Sequence, residues 1–94
     1  MASAEAPRSA IPEQAIGAMA RITSYLGRRY SEYHVSKNPD YIMIKCRDIQ
    51  TRITLAWTDE ETEILIQEDG VLDRKITLRL FDSMDNLIDR VFHE

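Results

Sequence analysis

The chain has 94 residues, of which 44% are hydrophobic and 30% are charged. This length and composition are typical of one globular domain and argue against a disordered chain. The formal net charge of −4 weighs against a protein that binds nucleic acid through its overall charge.

The N-terminal part divides into a tail and a helix. Residues 1–10 are small and polar, which predicts a disordered tail followed by a single domain at 11–94. Ile11–Leu26 is predicted to be a helix, because apolar residues recur there at helical spacing. That apolar stripe consists of Ala15, Ala18, Met19, Ile22 and Leu26. Gly27 is the expected C-cap, since glycine often ends a helix.

Five short runs rich in Ile, Thr, Leu and aromatic residues follow, and each is close to a two-residue alternation. They predict strands at Tyr30–Ser36, Tyr41–Arg47, Thr51–Thr58, Thr62–Gln67 and Lys75–Leu80. Lys37–Asp40 and Asp69–Gly70 are turn signals, and the latter favours a type I′ hairpin turn. Residues 71–74 either continue the last pairing or hold a β-bulge. No connection is long enough for a crossover, which predicts an antiparallel meander.

The alternation assigns one side of each strand to the core. The expected inward side chains are Ile42, Ile44, Cys46, Ile53, Leu55, Trp57, Ile64, Ile66, Ile76, Leu78 and Leu80. A terminal helix should be capped by Asp82 or Ser83. Its apolar stripe would be Met84, Leu87, Ile88, Val91 and Phe92. The predicted fold is therefore α+β: an antiparallel β-meander of about five strands with the N- and C-terminal helices packed on one face.

The chain lacks the motifs of common catalytic, phosphate and metal sites. It has three scattered glycines, one cysteine and two separated histidines, so no glycine-rich phosphate loop or standard zinc spacing occurs. The spacing permits a Cys46–His34 pair, but a buried structural thiol is favoured because Cys46 falls on the inward side. We therefore expect a protein that is not an enzyme, with no catalytic residues, no cofactor and no metal.

The single cysteine also bears on localisation. It excludes an internal disulfide, and secreted domains of this size usually need several. The first residues lack the apolar segment of a secretory signal, and no stretch approaches the ~20 apolar residues of a membrane helix. We expect a cytoplasmic protein without a membrane partner.

The outward side of the predicted sheet is the candidate binding surface. Its candidate partner-binding residues are Tyr41, Met43, Lys45, Arg47, Arg52, Leu65, Lys75 and Arg79. Aromatic, Met and Arg residues are enriched at protein interfaces, which favours a small adaptor or regulatory subunit. Its partner would be another protein or a second copy of itself, as in a homodimer.

Two other interpretations of this side remain open. Cations beside an aromatic ring are also used by sheets that bind RNA or single-stranded nucleic acid, which is the first alternative function. The surface could equally be a solvated face, with its cations paired across strands to Glu63.

An acidic block lies beside these basic strands. Residues 58–73 carry seven acidic residues and no basic ones. The acidic residues are Asp59, Glu60, Glu61, Glu63, Glu68, Asp69 and Asp73. Their expected role is to prevent edge-to-edge pairing. A second alternative function is an inhibitor that presents this acidic surface to a nucleic-acid-handling complex. The calcium-loop spacing is absent, so a solvated turn is favoured over a cation site.

Overall fold

The structure, a computed structural model, describes residues 11–92. Five strands form one antiparallel sheet in the order β1-β2-β3-β4-β5, between an N-terminal and a C-terminal helix. In chain order the elements are α1 (Glu13–Arg29), β1 (Tyr33–Lys37), β2 (Tyr41–Cys46), β3 (Thr51–Trp57), β4 (Glu61–Glu68), β5 (Val71–Arg79) and α2 (Leu87–Phe92). The predicted α+β meander is confirmed. The tail expected at residues 1–10 lies outside the described residues.

The core lies between the two helices and one face of the sheet. Alternate strand residues point to this face, and Ile53, Leu55 and Leu78 are completely buried there. α1 contributes the buried residues Ala15, Ala18, Ile22, Tyr25 and Leu26, and α2 contributes Leu87 and Val91. Burying a side chain of this kind stabilises the fold by about 1.5–3 kcal/mol.

Within residues 11–92, no helix is both long enough and apolar enough to cross a membrane.

The end of α1 differs from the sequence prediction. The helix continues past Gly27 to Arg29 and ends at Tyr30, whose N–H donates to the Leu26 carbonyl at 2.9 Å. Gly27 does not adopt a positive φ, so it is not the C-cap. The physical reason is that the two arginines after it favour the negative end of the helix dipole and extend the helix.

β1 begins at Tyr33 and not at Tyr30. The residues before it are held by a side chain and by one backbone hydrogen bond, from the Arg47 N–H to the Glu32 carbonyl. Asp48 Oδ2, in the turn between β2 and β3, accepts a hydrogen bond from the Ser31 N–H at 2.6 Å. Asp48 Oδ1 and Oδ2 also accept from Ser31 Oγ at 3.0 and 2.8 Å.

The β4–β5 hairpin confirms the Asp69–Gly70 turn. Asp69 has a φ of 54° and Gly70 a φ of 83°, as a type I′ turn requires. Pairing continues through residues 71–74 and also contains a bulge: Ile66 lies opposite Arg74, whereas Gln67 lies opposite Leu72. Both possibilities left open for this segment therefore occur together. Beyond the bulge, Arg74 Nη1 donates to the carbonyl of Arg90, which ties β5 to α2.

The segment after β5 also differs from expectation. β5 ends at Arg79, so Leu80 is not an inward strand residue and is half exposed. Helix α2 begins at Leu87, so neither Asp82 nor Ser83 is its cap. Asp82 instead closes a turn on Arg79, which accounts for the shorter strand and the later helix.

Candidate functional site

The candidate site is the outer sheet face, defined as the side of the sheet opposite α1 and α2. One row crosses its centre. Met43 lies opposite Thr54, which lies opposite Leu65 on the next strand. These three side chains are partly exposed, and Tyr41 beside them is 36% exposed. The alternation therefore places the predicted apolar site residues together on an accessible surface.

A pair of cations occupies the neighbouring row. Lys45 of β2 lies directly opposite Arg52 of β3, and His34 of β1 lies opposite Lys45 on its other side. All three side chains are exposed. Like charges directly opposite each other on a sheet are destabilising, and an anion between them would relieve the repulsion.

A small pocket adjoins this cation pair. It has a volume of about 120 Å³ and is lined by Lys45, Cys46, Gln50, Thr51, Arg52, Gln67 and Gly70. Because a water molecule takes up about 30 Å³ in the liquid, the pocket has room for a group of a few heavy atoms, such as a carboxylate. The cations supply charge, and the amides of Gln50 and Gln67 supply hydrogen-bond donors.

The two glutamines are not among the site residues predicted from the sequence. Gln67 falls on the outward side by alternation, so its position was predictable. Gln50 lies in the turn before β3, and no local pattern points a turn side chain towards a pocket.

The remaining predicted cations are spread over the face. Lys75 Nζ lies 3.8 Å from Glu63 Oε2, so the expected cross-strand ion pair with Glu63 occurs for this lysine. Because Lys75 is exposed and Glu63 is partly exposed, the pair contributes little to stability. Arg79 lies opposite Glu61 at the far end of the face. Arg47 was predicted in β2 but lies in the turn after it. Its N–H donates to the Glu32 carbonyl at 3.2 Å.

The acidic residues do not form one continuous surface. Glu61 and Glu63 lie on the outer sheet face of β4. Asp59 and Glu60 lie in the turn before β4. The rest of the set, at the other end of the same strand, consists of Glu68, Asp69 and Asp73. A strand of this length separates its ends by roughly 20–25 Å. Among the described residues, no group of His, Cys, Asp and Glu could hold a metal ion.

The Cys46–His34 pair is not formed. Cys46 points into the core opposite Tyr33, whereas His34 points to the outer sheet face opposite Lys45. Burial of the thiol, together with the charges of Glu68 and Asp48, raises the pKa of Cys46 to about 11. Since the thiolate is the nucleophilic form, this thiol is protonated and unreactive at neutral pH.

Comparison with known proteins finds no matching family model, no similar curated protein and no similar solved structure.

Proposed function

We propose that this protein is a non-catalytic binding module that engages an acidic segment of another protein through its outer sheet face. The observation that carries the proposal is the Lys45–Arg52 pair, which lines a pocket next to the apolar row. In this arrangement an acidic side chain of the partner enters the pocket, and neighbouring apolar side chains of the partner contact Met43 and Leu65.

The charge of the face supports an acidic partner. The whole chain has a net charge of −4, yet the outer sheet face has an excess of cations. Its cations are Lys45, Arg52, Lys75 and Arg79, and its acids are Glu61 and Glu63. A second copy is a poorer partner, because an isologous dimer would bring the same cationic surface to both sides of the interface.

The apolar row supports a protein as the partner. Tyr41, Met43 and Leu65 offer an aromatic ring, a thioether and an aliphatic side chain on one accessible surface. Such residues, with arginine, are over-represented at the centres of protein interfaces. A surface that contacted only water or phosphate would not need these apolar side chains.

Nucleic acid remains the first alternative, and the same pocket favours it. A phosphate would suit the Lys45–Arg52 pair as well as a carboxylate does, and Tyr41 could stack on a base. Each phosphate contact releases counterions, so this interaction would weaken steeply with salt. The inhibitor alternative has less support, because its acidic residues lie at opposite ends of β4.

The test is a pull-down from native lysate with tagged protein, with and without nuclease, read by mass spectrometry. The variant carries Lys45→Glu and Arg52→Glu. The matched control carries Arg21→Glu and Lys37→Glu, two exposed positions off the outer sheet face with the same change in net charge. We expect the variant to lose its nuclease-resistant partners and the control to keep them, with thermal unfolding nearly unchanged in both.

Equal capture by the variant and by wild type would contradict the proposal. If the partners captured by wild type disappear after nuclease treatment, nucleic acid becomes the favoured ligand of the outer sheet face. Isothermal titration of wild type with a short Glu-rich peptide and with single-stranded DNA, at low and high salt, then separates carboxylate from phosphate recognition.

A further inference from the structure

Two apolar residues project from the turn between β5 and α2. Phe81 is 92% exposed and Leu80 is 50% exposed. Phe81 is the most exposed of the large hydrophobic residues within the described part of the chain. A side chain of this size gains substantial free energy from burial, so its position in solvent is unfavourable for the isolated protein.

The turn that presents Phe81 is held by several hydrogen bonds. The Asp82 N–H donates to the Arg79 carbonyl at 3.0 Å, and the Arg79 N–H donates to Asp82 Oδ2 at 2.8 Å. Gln14 Nε2 donates to the Arg79 carbonyl at 2.6 Å and to the Leu80 carbonyl at 3.3 Å. The exposed ring is therefore displayed from an ordered backbone, which lowers the entropy lost on binding.

A groove lies beside this turn. Its volume is about 400 Å³, and its apolar lining consists of Pro12, Leu80, Phe81 and Met84. This volume is within the range of about 300–1,000 Å³ seen for binding pockets. Two carboxylates, Glu13 and Asp82, lie on the same lining. The groove thus combines an apolar surface with a negative rim.

The charge of the rim decides between possible occupants. A second copy docked by two-fold symmetry would bring Glu13 and Asp82 of one molecule towards the same carboxylates of the other, which is unfavourable. A partner with lysine or arginine side chains around its apolar contact would be attracted. Asp85, an exposed acid in the same loop, adds to the negative charge near the groove.

We propose that the Leu80–Phe81 turn and its groove bind a basic amphipathic segment of a partner protein. Apolar side chains of that segment contact Phe81 and Met84, and its cations face Glu13 and Asp82. This is the groove mode of recognition, in which one apolar stripe gives affinity and the flanking charges give specificity. Its lining residues are different from those of the Lys45–Arg52 pocket, and their charge is opposite.

The experiment uses a short fluorescein-labelled peptide of Leu and Lys, designed as an amphipathic helix, and a Leu–Glu counterpart. Fluorescence anisotropy measures binding to the full chain. We expect the Leu–Lys peptide to bind and the Leu–Glu peptide not to bind. Phe81→Ser, which leaves the charge unchanged, should weaken binding by about tenfold or more.

Two charge variants test the rim. Glu13→Lys should weaken binding by roughly threefold to tenfold. Glu32→Lys, the same charge change at an exposed position before β1, should have little effect, because β1 is the opposite edge strand and its start lies at the other end of the sheet. The Lys45→Glu, Arg52→Glu variant should retain binding, so this proposal and the function proposed for the outer sheet face can fail separately. Thermal unfolding of Phe81→Ser should match that of wild type, because the ring is exposed.

Three results would overturn the proposal. The first is peptide binding that Phe81→Ser leaves unchanged. The second is sedimentation in which wild type forms a dimer and Phe81→Ser does not, which would make a second copy the occupant. The third is a tenfold gain in peptide affinity on removal of residues 2–10, which would make that segment the occupant.

Discussion

The side chain of Gln14 joins the start of α1 to two strands of the sheet. Its Oε1 accepts a hydrogen bond from Thr62 Oγ1 at 3.0 Å, and its Nε2 donates to the Arg79 carbonyl at 2.6 Å. Thr62 is 1% exposed, so its hydroxyl has little access to water. One amide thus satisfies a buried donor and also supports the turn that carries Phe81.

We expect Gln14→Ala to lower the free energy of unfolding by about 1–3 kcal/mol, because it leaves the buried Thr62 hydroxyl without a partner. Adding Thr62→Val should restore part of the loss, since removing both partners is less costly than removing one. Urea denaturation of the two single variants and the double variant measures this coupling. Strictly additive effects would show that the hydrogen bond does not contribute.

Two glycines should respond oppositely to alanine. Gly27 is an exposed helix-interior position, where the nearest atom to an added Cβ is Tyr33 Cε2 at 3.8 Å. Gly27→Ala should therefore stabilise the protein by about 0.5–1 kcal/mol. Gly70→Ala should destabilise it by about 1–2 kcal/mol, because Gly70 has a φ of 83°. Thermal unfolding of both variants tests the prediction, and a destabilising Gly27→Ala would contradict the observed end of α1.

Asp48 should give the protein part of its acid sensitivity. Hydrogen bonds from the Ser31 side chain and N–H lower the pKa of Asp48 below its ordinary value of 3.8. A lowered folded-state pKa stabilises the protein above the unfolded-state value, and this contribution is lost as the pH falls through the folded-state value. Asp48→Ala should therefore lower the melting temperature at neutral pH, with a smaller difference from wild type in acid.

The control for this prediction is Asp59→Ala, which removes an exposed acid from the turn before β4. It should leave the melting temperature nearly unchanged at every pH. If Asp48→Ala behaved like Asp59→Ala, the link between the two turns would not be stabilising.

Cys46 should affect stability in alkaline solution. Its pKa is raised from 9.0 to about 11 in the folded protein, with burial as the main cause. Between those values the unfolded chain ionises while the folded protein keeps its proton, so the free energy of unfolding falls as the pH rises. Cys46→Ala should flatten this decline. Native Cys46 should also react slowly with a disulfide reagent at neutral pH, and fast reaction would contradict its burial.

Two leucines test which side of the sheet holds the core. Leu55 of β3 is completely buried, whereas Leu72 of β5 is 55% exposed. Leu55→Ala should cost about 2–5 kcal/mol of unfolding free energy. Leu72→Ala, the same chemical change, should cost less than about 0.5 kcal/mol. Similar costs at both positions, measured by denaturation, would argue against the observed register.

The fold itself follows from short-range patterns. A two-residue alternation assigns Ile42 and Ile44 to one side of the sheet and Met43 to the other, whatever the partner strands are. The Asp69–Gly70 turn was also predictable, because its backbone conformation depends on the residues within it. The same alternation predicted that Cys46 points inward, and the structure confirms that it is buried.

The predicted ends of three elements differ from the observed ones, and at two of them side chains distant in the chain contribute. Gly27 has the right type for a cap, but the structure does not use it as one. β1 starts late because Asp48, which lies in another turn, holds Ser31. β5 ends early because Asp82 closes a turn on Arg79, and Gln14 supports that turn. The Asp48–Ser31 and Gln14–Arg79 contacts join residues far apart in the chain, so local propensity cannot predict them, whereas the Asp82–Arg79 turn is local.

For the candidate surfaces too, the sequence determines some features and the tertiary structure determines the others. The sequence alone determined which residues face outward, so Tyr41, Met43 and Lys45 could be listed without a structure. Only the tertiary structure decided that Lys45 lies opposite Arg52, that a pocket adjoins them and that Phe81 stands in solvent. The physical reason is that side-chain direction is a local property with a period of two, whereas neighbours across strands depend on register. Register is set jointly by the turns and by burial of the whole apolar face.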